Sequence, residues 1–194
     1  EGIRSESVVE GAADALTRIG GPAAVALVPL YAEAGPVTRR RIVNILRDIG
    51  ADAVDRLGAI IVNHEHPNSG TAAGLVGELP NVGPAAAGCL IGGLSDPRFE
   101  VRWEARRSLR RLGNTVLSEL VETLQSTDPE VRWAAAQILM ALPEPPLEDL
   151  LPVLTEMLDA DDVAVRRRAV RALGLLSGAR VRSALEHAAA DVDP

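Results

Sequence analysis

Few residues of this chain have side chains that could perform catalysis or bind a metal. The histidines are His64, His66 and His187, and Cys89 is the only cysteine. His64-Glu65 is a single His-Glu pair in a polar loop, and one pair supplies too few ligands for a structural or catalytic metal site. Cys89 lies in an apolar run without a basic neighbour, which predicts a buried, inert thiol. We therefore expect no catalytic residue, no metal and no cofactor.

The composition excludes several further classes of protein. All 20 cationic residues are arginine, and the formal net charge is −7. Without lysine the chain cannot form a lysine Schiff base, and its acidity is not typical of a protein that coats nucleic acid. Alanine, leucine and valine are abundant while aromatic residues are scarce, which favours helices with a core of small aliphatic side chains. No apolar run is long enough to span a bilayer, and we expect a cytoplasmic protein.

A repeated unit fills the chain. Asp96-Pro97 followed by Val101-Arg102-Trp103 recurs as Asp128-Pro129 followed by Val131-Arg132-Trp133. The apolar positions aligned with this motif are spaced by 30, 30, 33, 30 and 34 residues, and they are Leu16, Leu46, Val76, Leu109, Leu139 and Leu173. A fixed period in this range is typical of stacked repeat arrays. We predict one domain over residues 1–194. Because the sequence begins at Glu1 without methionine and ends abruptly, we expect a fragment of a larger protein.

Each unit is predicted to be a pair of helices, which makes the fold class all-α. Proline fits the first helical turn, a preceding aspartate can cap free N–H groups, and glycine or proline marks the helix ends. The motif-bearing helices are predicted to start near Ser5, Pro36, Asn68, Pro97, Pro129 and Asp162, and to end near Gly20, Gly50, Pro80, Gly113, Pro143 and Gly178. The second helices are predicted at roughly 22–34, 52–65, 83–94, 115–125, 146–159 and 180–190.

The units resemble HEAT repeats, specifically the HEAT-like repeats of the phycobilin-lyase type. The signature Asp-Pro…Val-Arg…Ala…Ala-Leu…Leu-Gly is matched well around Val101, Val131 and Val165, and less well around Thr38, Val8 and Asn68. This resemblance implies an α-α superhelix (a right-handed solenoid) of about six HEAT-like helix pairs. In that family the signature arginine pairs with aspartates of adjacent units. The implied structural ladder consists of Asp96, Arg102, Asp128, Arg132, Asp162 and Arg166.

A helical wheel divides each motif helix into two faces. At 100° per residue, Val101, Ala105 and Leu109 face the partner helix, and Trp103 and the arginines near it point the other way. The resemblance to HEAT repeats implies that this second face lines a concave groove. Its candidate partner-binding residues are Arg40, Arg47, Trp103, Arg106, Arg107, Arg110, Trp133, Met140, Arg167 and Arg171. Only Glu10 and Asp14 oppose these arginines there, so we expect a basic groove on an acidic protein.

Two features of this groove allow more than one interpretation. Trp103 and Trp133 are predicted to lie side by side, about 10 Å apart by helix-packing distances. They could cover the seam between units, or they could form a binding hot spot flanked by arginines. Gly70, Gly74 and Gly77 form a glycine stripe on one helical face. The stripe indicates either a drifting repeat or a notch that lets the backbone of a partner approach closely.

The predicted function is non-enzymatic: a scaffold that binds an acidic segment of another protein in this groove. Binding of the nucleic-acid phosphate backbone by the arginines stays open, and a bilin-lyase-like subunit is a weaker alternative. Activity of the deoxyhypusine hydroxylase type is not expected, because Trp103 stands where that family has a histidine ligand. An activity like that of the HEAT-like DNA glycosylases is doubtful, because Asp14 is predicted roughly 30 Å from Trp103. The oligomeric state and the identity of the partner are left undetermined.

Overall fold

Every regular element in the described part of the chain is a helix. The computed structural model describes residues 2–80, 83–176 and 181–182. The helices are α1 (Gly2–Ile19), α2 (Gly21–Glu33), α3 (Pro36–Ile49), α4 (Ala51–Ile61), α5 (Ser69–Val76), α6 (Gly83–Gly93), α7 (Phe99–Leu112), a 3₁₀ turn (Gly113–Val116), α8 (Leu117–Thr123), α9 (Pro129–Met140), α10 (Leu147–Leu158) and α11 (Val163–Leu175). They form the predicted pairs in order. The partner predicted for α11, at 180–190, lies almost wholly outside the described residues.

Contacts divide the chain into two compact units, Glu1–Glu119 and Leu120–Pro194, with the boundary inside α8. Unit 1 contains α1 to α7, and unit 2 contains α9 to α11. In unit 1 each helix packs on its sequence neighbour and also on a helix of an adjacent pair, as in α2 on α4 and α4 on α6. In unit 2, α10 packs mainly on α11 and also contacts α9. The two units are described separately below, and the single domain predicted over residues 1–194 stays a prediction.

Of the two aspartate caps predicted from the repeated Asp-Pro, at Asp96 and Asp128, the one at Asp128 is confirmed. Asp128 Oδ1 accepts the backbone N–H of Glu130 at 2.9 Å, at the start of α9. Asp162 Oδ1 accepts the backbone N–H of Ala164 at 2.7 Å, at the start of α11. The prediction for α7 is wrong, because this helix begins two residues later, at Phe99, and has no side-chain cap. Asp96 is instead buried in the preceding loop, where its carboxylate binds Arg98 and His64.

The predicted core positions are buried in most units and open in the first. Leu46, Leu109, Leu139 and Leu173 are fully buried, as the repeat spacing predicts. In α1, by contrast, Ala12 is exposed and Leu16 is only partly buried. The predicted core position Ile19 is 57% exposed. The sequence of the first repeat therefore has the apolar spacing, but these side chains are not fully buried in the structure.

The glycine stripe of α5 is the surface on which α7 packs. A Cβ atom added to Gly74 would lie 3.2 Å from Glu104 Oε2, and one added to Gly77 would lie 2.7 Å from Ser108 Cα. Ser108 is buried and donates its hydroxyl to Ala73 O at 2.8 Å. The stripe thus allows two backbones to approach closely. It is not a product of drift, and at Gly77 it is not an open notch.

The signature arginines bind the loop of their own unit. Arg102 Nη1 donates to Asp96 O and Pro97 O, both at 2.7 Å. Arg132 Nη1 donates to Ser126 O at 2.7 Å, and Arg166 Nη1 to Ala160 O at 2.9 Å. Three of these four bonds reach the carbonyl oxygen six residues before the arginine, and the bond to Pro97 O reaches five residues back. For Arg102 and Arg132 the structure gives backbone carbonyls where the resemblance implies aspartate carboxylates of adjacent units.

Other residues tie successive repeats together. The carboxylate of Asp52 accepts the backbone N–H of Gly21. Further along the chain, an arginine of one motif helix pairs with a glutamate of the preceding repeat. Arg111 Nη1 lies 3.2 Å from Glu78 Oε1, and Arg168 Nη1 lies 2.9 Å from Glu130 Oε1. Both pairs are partly exposed, so they fix the register of neighbouring helices more than they add stability.

Candidate functional site

The solvent face of α7 carries two exposed aromatic side chains next to a run of arginines. Phe99 is 65% exposed and Trp103 is 50% exposed. They are four residues apart and so lie roughly 40° apart around the helix axis. The Arg107 guanidinium carbon lies 5.4 Å from the centroid of the Trp103 ring, close enough for a cation–π contact. We call Phe99, Trp103, Arg106, Arg107 and Arg110 the α7 face.

Phe99 was not among the residues singled out from the sequence. The signal for it was present, since Phe99 precedes Trp103 by one helical turn and is the only phenylalanine of the chain. The repeated motif does not include Phe99, because Phe99 lies between the Asp-Pro pair and the repeated Val-Arg-Trp. An exposed aromatic pair is unusual in a protein with 2% aromatic residues. Aromatic side chains and arginine are the residue types enriched at protein interfaces.

The other predicted groove residues divide between the two units. In unit 1, Arg40, Arg47 and Arg110 are exposed and Arg106 is partly buried. In unit 2, the exposed residues are Arg167 and Arg171, whereas Trp133 and Met140 are partly buried. Arg47 Nε lies 3.2 Å from Asp48 Oδ1, so that arginine already has a carboxylate partner. A single groove lined by all ten residues stays a prediction, as does the pairing of Trp103 with Trp133.

A cleft of about 580 Å³ lies beside the α7 face within unit 1. Gly70 and Gly74 of α5 line it, together with Arg39, Arg107 and Tyr31. Three acidic residues also line it, and these are Glu78, Glu100 and Glu104. The expectation that only Glu10 and Asp14 oppose the arginines is therefore too simple, because both positive and negative side chains line this cleft.

The pair of charges nearest the α7 face is weakly held. Arg107 Nη1 lies 3.5 Å from Glu104 Oε2, at the long limit of a hydrogen bond, and the side chain of Arg107 is half exposed. Exposed pairs of this kind contribute about 0.2–1 kcal/mol. A carboxylate from a partner could therefore replace Glu104 at small cost.

Asp96 is the centre of a buried charged cluster between two loops of unit 1. Its carboxylate accepts Arg98 Nε at 3.0 Å, Arg98 Nη2 at 3.0 Å and the Arg98 backbone N–H at 2.8 Å. His64 Nδ1 lies 2.9 Å from Asp96 Oδ2, and Arg98 Nη1 donates to His66 O at 2.7 Å. The Arg98 guanidinium and the hydrogen bond from His64 hold the pKa of the Asp96 carboxyl well below its usual range, against the opposing effect of burial. His64 thus contacts a neighbouring loop while about half of its side chain stays exposed.

Two further groups have shifted pKa values with clear causes. Burial, together with a hydrogen bond to Glu78, raises the pKa of Tyr31 to about 12. Burial raises the pKa of the Cys89 thiol to about 11, and its Sγ donates to Ala86 O at 3.1 Å. A nucleophilic cysteine needs a lowered pKa, so the raised pKa of Cys89 agrees with the predicted inert thiol.

The described residues provide no metal site and no membrane span. No group of three or more His, Cys, Asp or Glu residues within the described ranges could hold a metal ion. Among the described helices, none is long and apolar enough to cross a bilayer. What these residues offer instead is an exposed aromatic and cationic surface.

Stacked helix pairs with a motif arginine that closes each loop define a helical repeat protein. A family model for HEAT repeats matches residues 89–163 and 117–194, which together span 89–194. Since this is more than half of the chain, the protein belongs to the HEAT repeat family, as the resemblance indicated. The all-α superhelix class is thereby confirmed. The narrower likeness to the phycobilin-lyase type stays a prediction.

Comparisons with solved structures find other helical repeat proteins. An archaeal HEAT-like repeats protein from Thermococcus onnurineus NA1 is 16% identical, with a TM-score of 0.46, and the match covers 93% of this chain and 92% of that one. An engineered protein is 21% identical, with a TM-score of 0.45 and coverage of 87% and 78%. A designed armadillo repeat protein is 19% identical, with a TM-score of 0.35 and coverage of 86% and 92%. A search of curated proteins gives no match.

Proposed function

We propose that this protein is a non-enzymatic scaffold whose α7 face captures an acidic segment of a partner protein. HEAT repeats commonly mediate protein interactions, and the observation that supports this particular surface is the exposed pair Phe99 and Trp103 beside Arg107 and Arg110. Exposed aromatic side chains lose unfavourable contact with water when a partner covers them. Arginines around them favour a partner with carboxylates and disfavour a basic one.

The aromatic pair would supply the apolar part of the affinity. Burying a large aromatic side chain removes about 150–250 Å² from water, at roughly 25 cal/mol per Å². The arginines would supply the selectivity, because the partner's carboxylates would replace the long contact between Arg107 and Glu104. The partner that fits best is therefore an acidic segment with aliphatic side chains between its carboxylates. Arg40, Arg47, Trp133, Arg167 and Arg171 are further candidates for contacts with a longer segment.

The test uses Trp103 as its own reporter. The chain has two tryptophans, so a Trp133→Phe background leaves Trp103 as the only one. The probes are two short synthetic peptides that alternate leucine with glutamate in one case and leucine with arginine in the other. We expect a saturable change in Trp103 emission with the acidic peptide alone. Binding of both peptides with equal affinity would refute the charge selectivity.

Variants then locate the binding site. In that background, Phe99→Ala together with Arg107→Ala should weaken binding of the acidic peptide about tenfold or more, as expected for the loss of an aromatic anchor and its neighbouring charge. Arg18→Ala is the matched control, because Arg18 is an exposed arginine of α1 outside the α7 face. Equal losses in the two variants would mean that only net charge matters.

A duplex DNA probe separates the main alternative. Binding of phosphates by the arginines would produce an affinity for DNA that falls steeply with salt concentration. The presence of both arginines and glutamates in the cleft beside α7 favours a peptide over a uniformly charged backbone. Tight, salt-dependent binding of DNA with no response to the acidic peptide would reassign the function.

A further inference from the structure

A second surface of unit 1 is an apolar cavity between its first helices. The cavity has a volume of about 600 Å³ and opens between α1, α2 and α3. Leu27, Ile42 and Ile45 form its buried walls, whereas Ala12 and Ala13 face it from α1. Alanine side chains are too short to fill the space between these helices. The cavity therefore exists because the first repeat presents small side chains at positions that a larger residue could fill.

The rim of this cavity is mainly acidic. Glu10, Glu33 and Asp48 line it, together with a single arginine, Arg41. Glu10 and Glu33 are exposed, and the structure gives their carboxylates no hydrogen bond or ion pair with the described residues. Such a site favours an apolar group that has positive charge beside it. It disfavours an apolar group on an anionic segment.

The α7 face of the same protein has the complementary character. Phe99 and Trp103 are exposed apolar groups, and Arg106, Arg107 and Arg110 follow them on the same helix. We propose that the occupant of the cavity is the α7 face of a second copy of this chain. In that contact the two aromatic rings would enter the cavity and the arginines would meet its acidic rim. This inference rests on the proposed function, since it names a partner for the same α7 face.

The geometry of this contact determines the kind of assembly. The cavity and the α7 face are different surfaces of one unit, so the contact is heterologous: each copy gives one surface and receives the other. Association of this type is open-ended or closes into a ring, and it grows with protein concentration. Because the contact has few anchoring side chains, we expect weak association that appears only at high concentration.

Sedimentation velocity over a wide range of protein concentrations tests the proposal. We expect the weight-average sedimentation coefficient of the unmodified chain to rise with concentration. A face variant, Phe99→Ser with Trp103→Ser, should weaken association about tenfold or more. A cavity variant, Ala12→Leu with Ala13→Leu, should do the same by filling the space. Leu175→Ser is the control, because Leu175 is 81% exposed and belongs to neither surface.

Mixing the two variants gives the decisive result. The face variant keeps an intact cavity, and the cavity variant keeps an intact α7 face. Each alone should stay monomeric, while an equimolar mixture should form a one-to-one dimer that cannot grow further. If the cavity variant does not keep its helical circular dichroism, Glu10→Gln with Glu33→Gln replaces it, because both residues are exposed. A mixture that stays monomeric would overturn the proposal.

The outcome is separable from that of the proposed function. A chain that remains monomeric at every concentration but binds the acidic peptide keeps the proposed function and loses this inference. A chain that associates, and does so undiminished in the face variant, also loses it, because another surface then makes the contact. Loss of association in the face variant, together with loss of peptide binding in the Phe99→Ala, Arg107→Ala variant that keeps Trp103, supports the two proposals together.

Discussion

Replacing Gly77 by alanine tests the close approach of α5 and α7. Gly77 has φ −68° and ψ −12°, so alanine meets no backbone strain at this position. Its Cβ would nevertheless lie 2.7 Å from Ser108 Cα, and the Cβ and Oγ atoms of Ser108 are also among its nearest neighbours. Since a backbone atom blocks the space, no rotation of a side chain can relieve the clash. The two helices must move apart.

The expected cost is that of overpacking, about 1–3 kcal/mol of unfolding free energy. The matched control is Gly88→Ala in α6, where a Cβ would have no neighbour within 4 Å. There alanine should stabilise the helix by about 0.5–1 kcal/mol because it has the higher helix propensity. The two Gly→Ala substitutions should therefore act in opposite directions and differ by about 1.5–4 kcal/mol.

Urea unfolding measures this difference. Because the chain has two units, we would follow Trp103 emission in a Trp133→Phe background, which reports on unit 1 alone. A second substitution, Ser108→Gly, removes two of the three atoms nearest the added methyl group, and it should cost less in the Gly77→Ala background than in the parent. Gly77→Ala with the stability of the parent chain would refute the close packing of α5 on α7.

Three titrations test the shifted pKa values. Tyr31 is the only tyrosine, so the absorbance of tyrosine should titrate with a midpoint near pH 12. Glu78→Gln should lower that midpoint. A midpoint near the usual value of about 10 would contradict the burial of Tyr31. Burial of Cys89 raises its pKa to about 11. Its thiol should therefore react with a disulfide reagent at about pH 8 far more slowly in the folded protein than in urea. Equal rates would be inconsistent with the raised pKa. The lowered pKa of Asp96 stabilises the fold above its unfolded-state value of about 3.9, and that stability is lost as the pH falls toward the folded-state pKa. Asp96→Asn should therefore flatten the acid dependence of urea unfolding, and parallel curves for the two proteins would disprove the role of the Arg98 pair.

Much of the fold was predictable because its signals are local. Proline at the first helical turn and an aspartate before it act within one turn of backbone, and the predicted starts of α3, α9 and α11 agree with the structure to within about one residue. The periodic leucines also act locally, since the helical repeat alone decides which side of a helix they occupy. Such features need no knowledge of neighbouring repeats.

The errors arise where a neighbouring repeat decides the outcome. Asp96 shares the Asp-Pro pair with Asp128, but two additional residues, Arg98 and Phe99, follow it before the repeated Glu-Val-Arg-Trp. Its carboxylate binds Arg98 and also His64, which lies 32 residues away in the preceding repeat. Gly77 has the sequence signal of a weak helix, and only the position of Ser108 shows why glycine is needed there.

The candidate site was predicted in part. Trp103 and Arg107 were identified because the wheel places them away from the core, and both are exposed. Phe99 was missed because it stands outside the repeated motif, and the cavity between α1 and α3 was missed because a helical wheel describes directions and not volumes. The wheel also cannot show that Glu104 reaches Arg107 or that Glu78 reaches Arg111.

The bonds of the signature arginines determine where this protein can be divided. The carbonyl acceptors Asp96 O, Ser126 O and Ala160 O each lie six residues before their arginine. They therefore mark segment boundaries 30 and 34 residues apart, and each segment contains both its arginine and the loop that the arginine closes. Removal or duplication of a segment cut just before these positions leaves every arginine with its own acceptor. A junction that adds or removes residues between the carbonyl oxygen and its arginine would change this six-residue spacing and break the bond. Recombination between repeats, in a genome or in protein engineering, should therefore succeed where the spacing is kept and fail where it is changed.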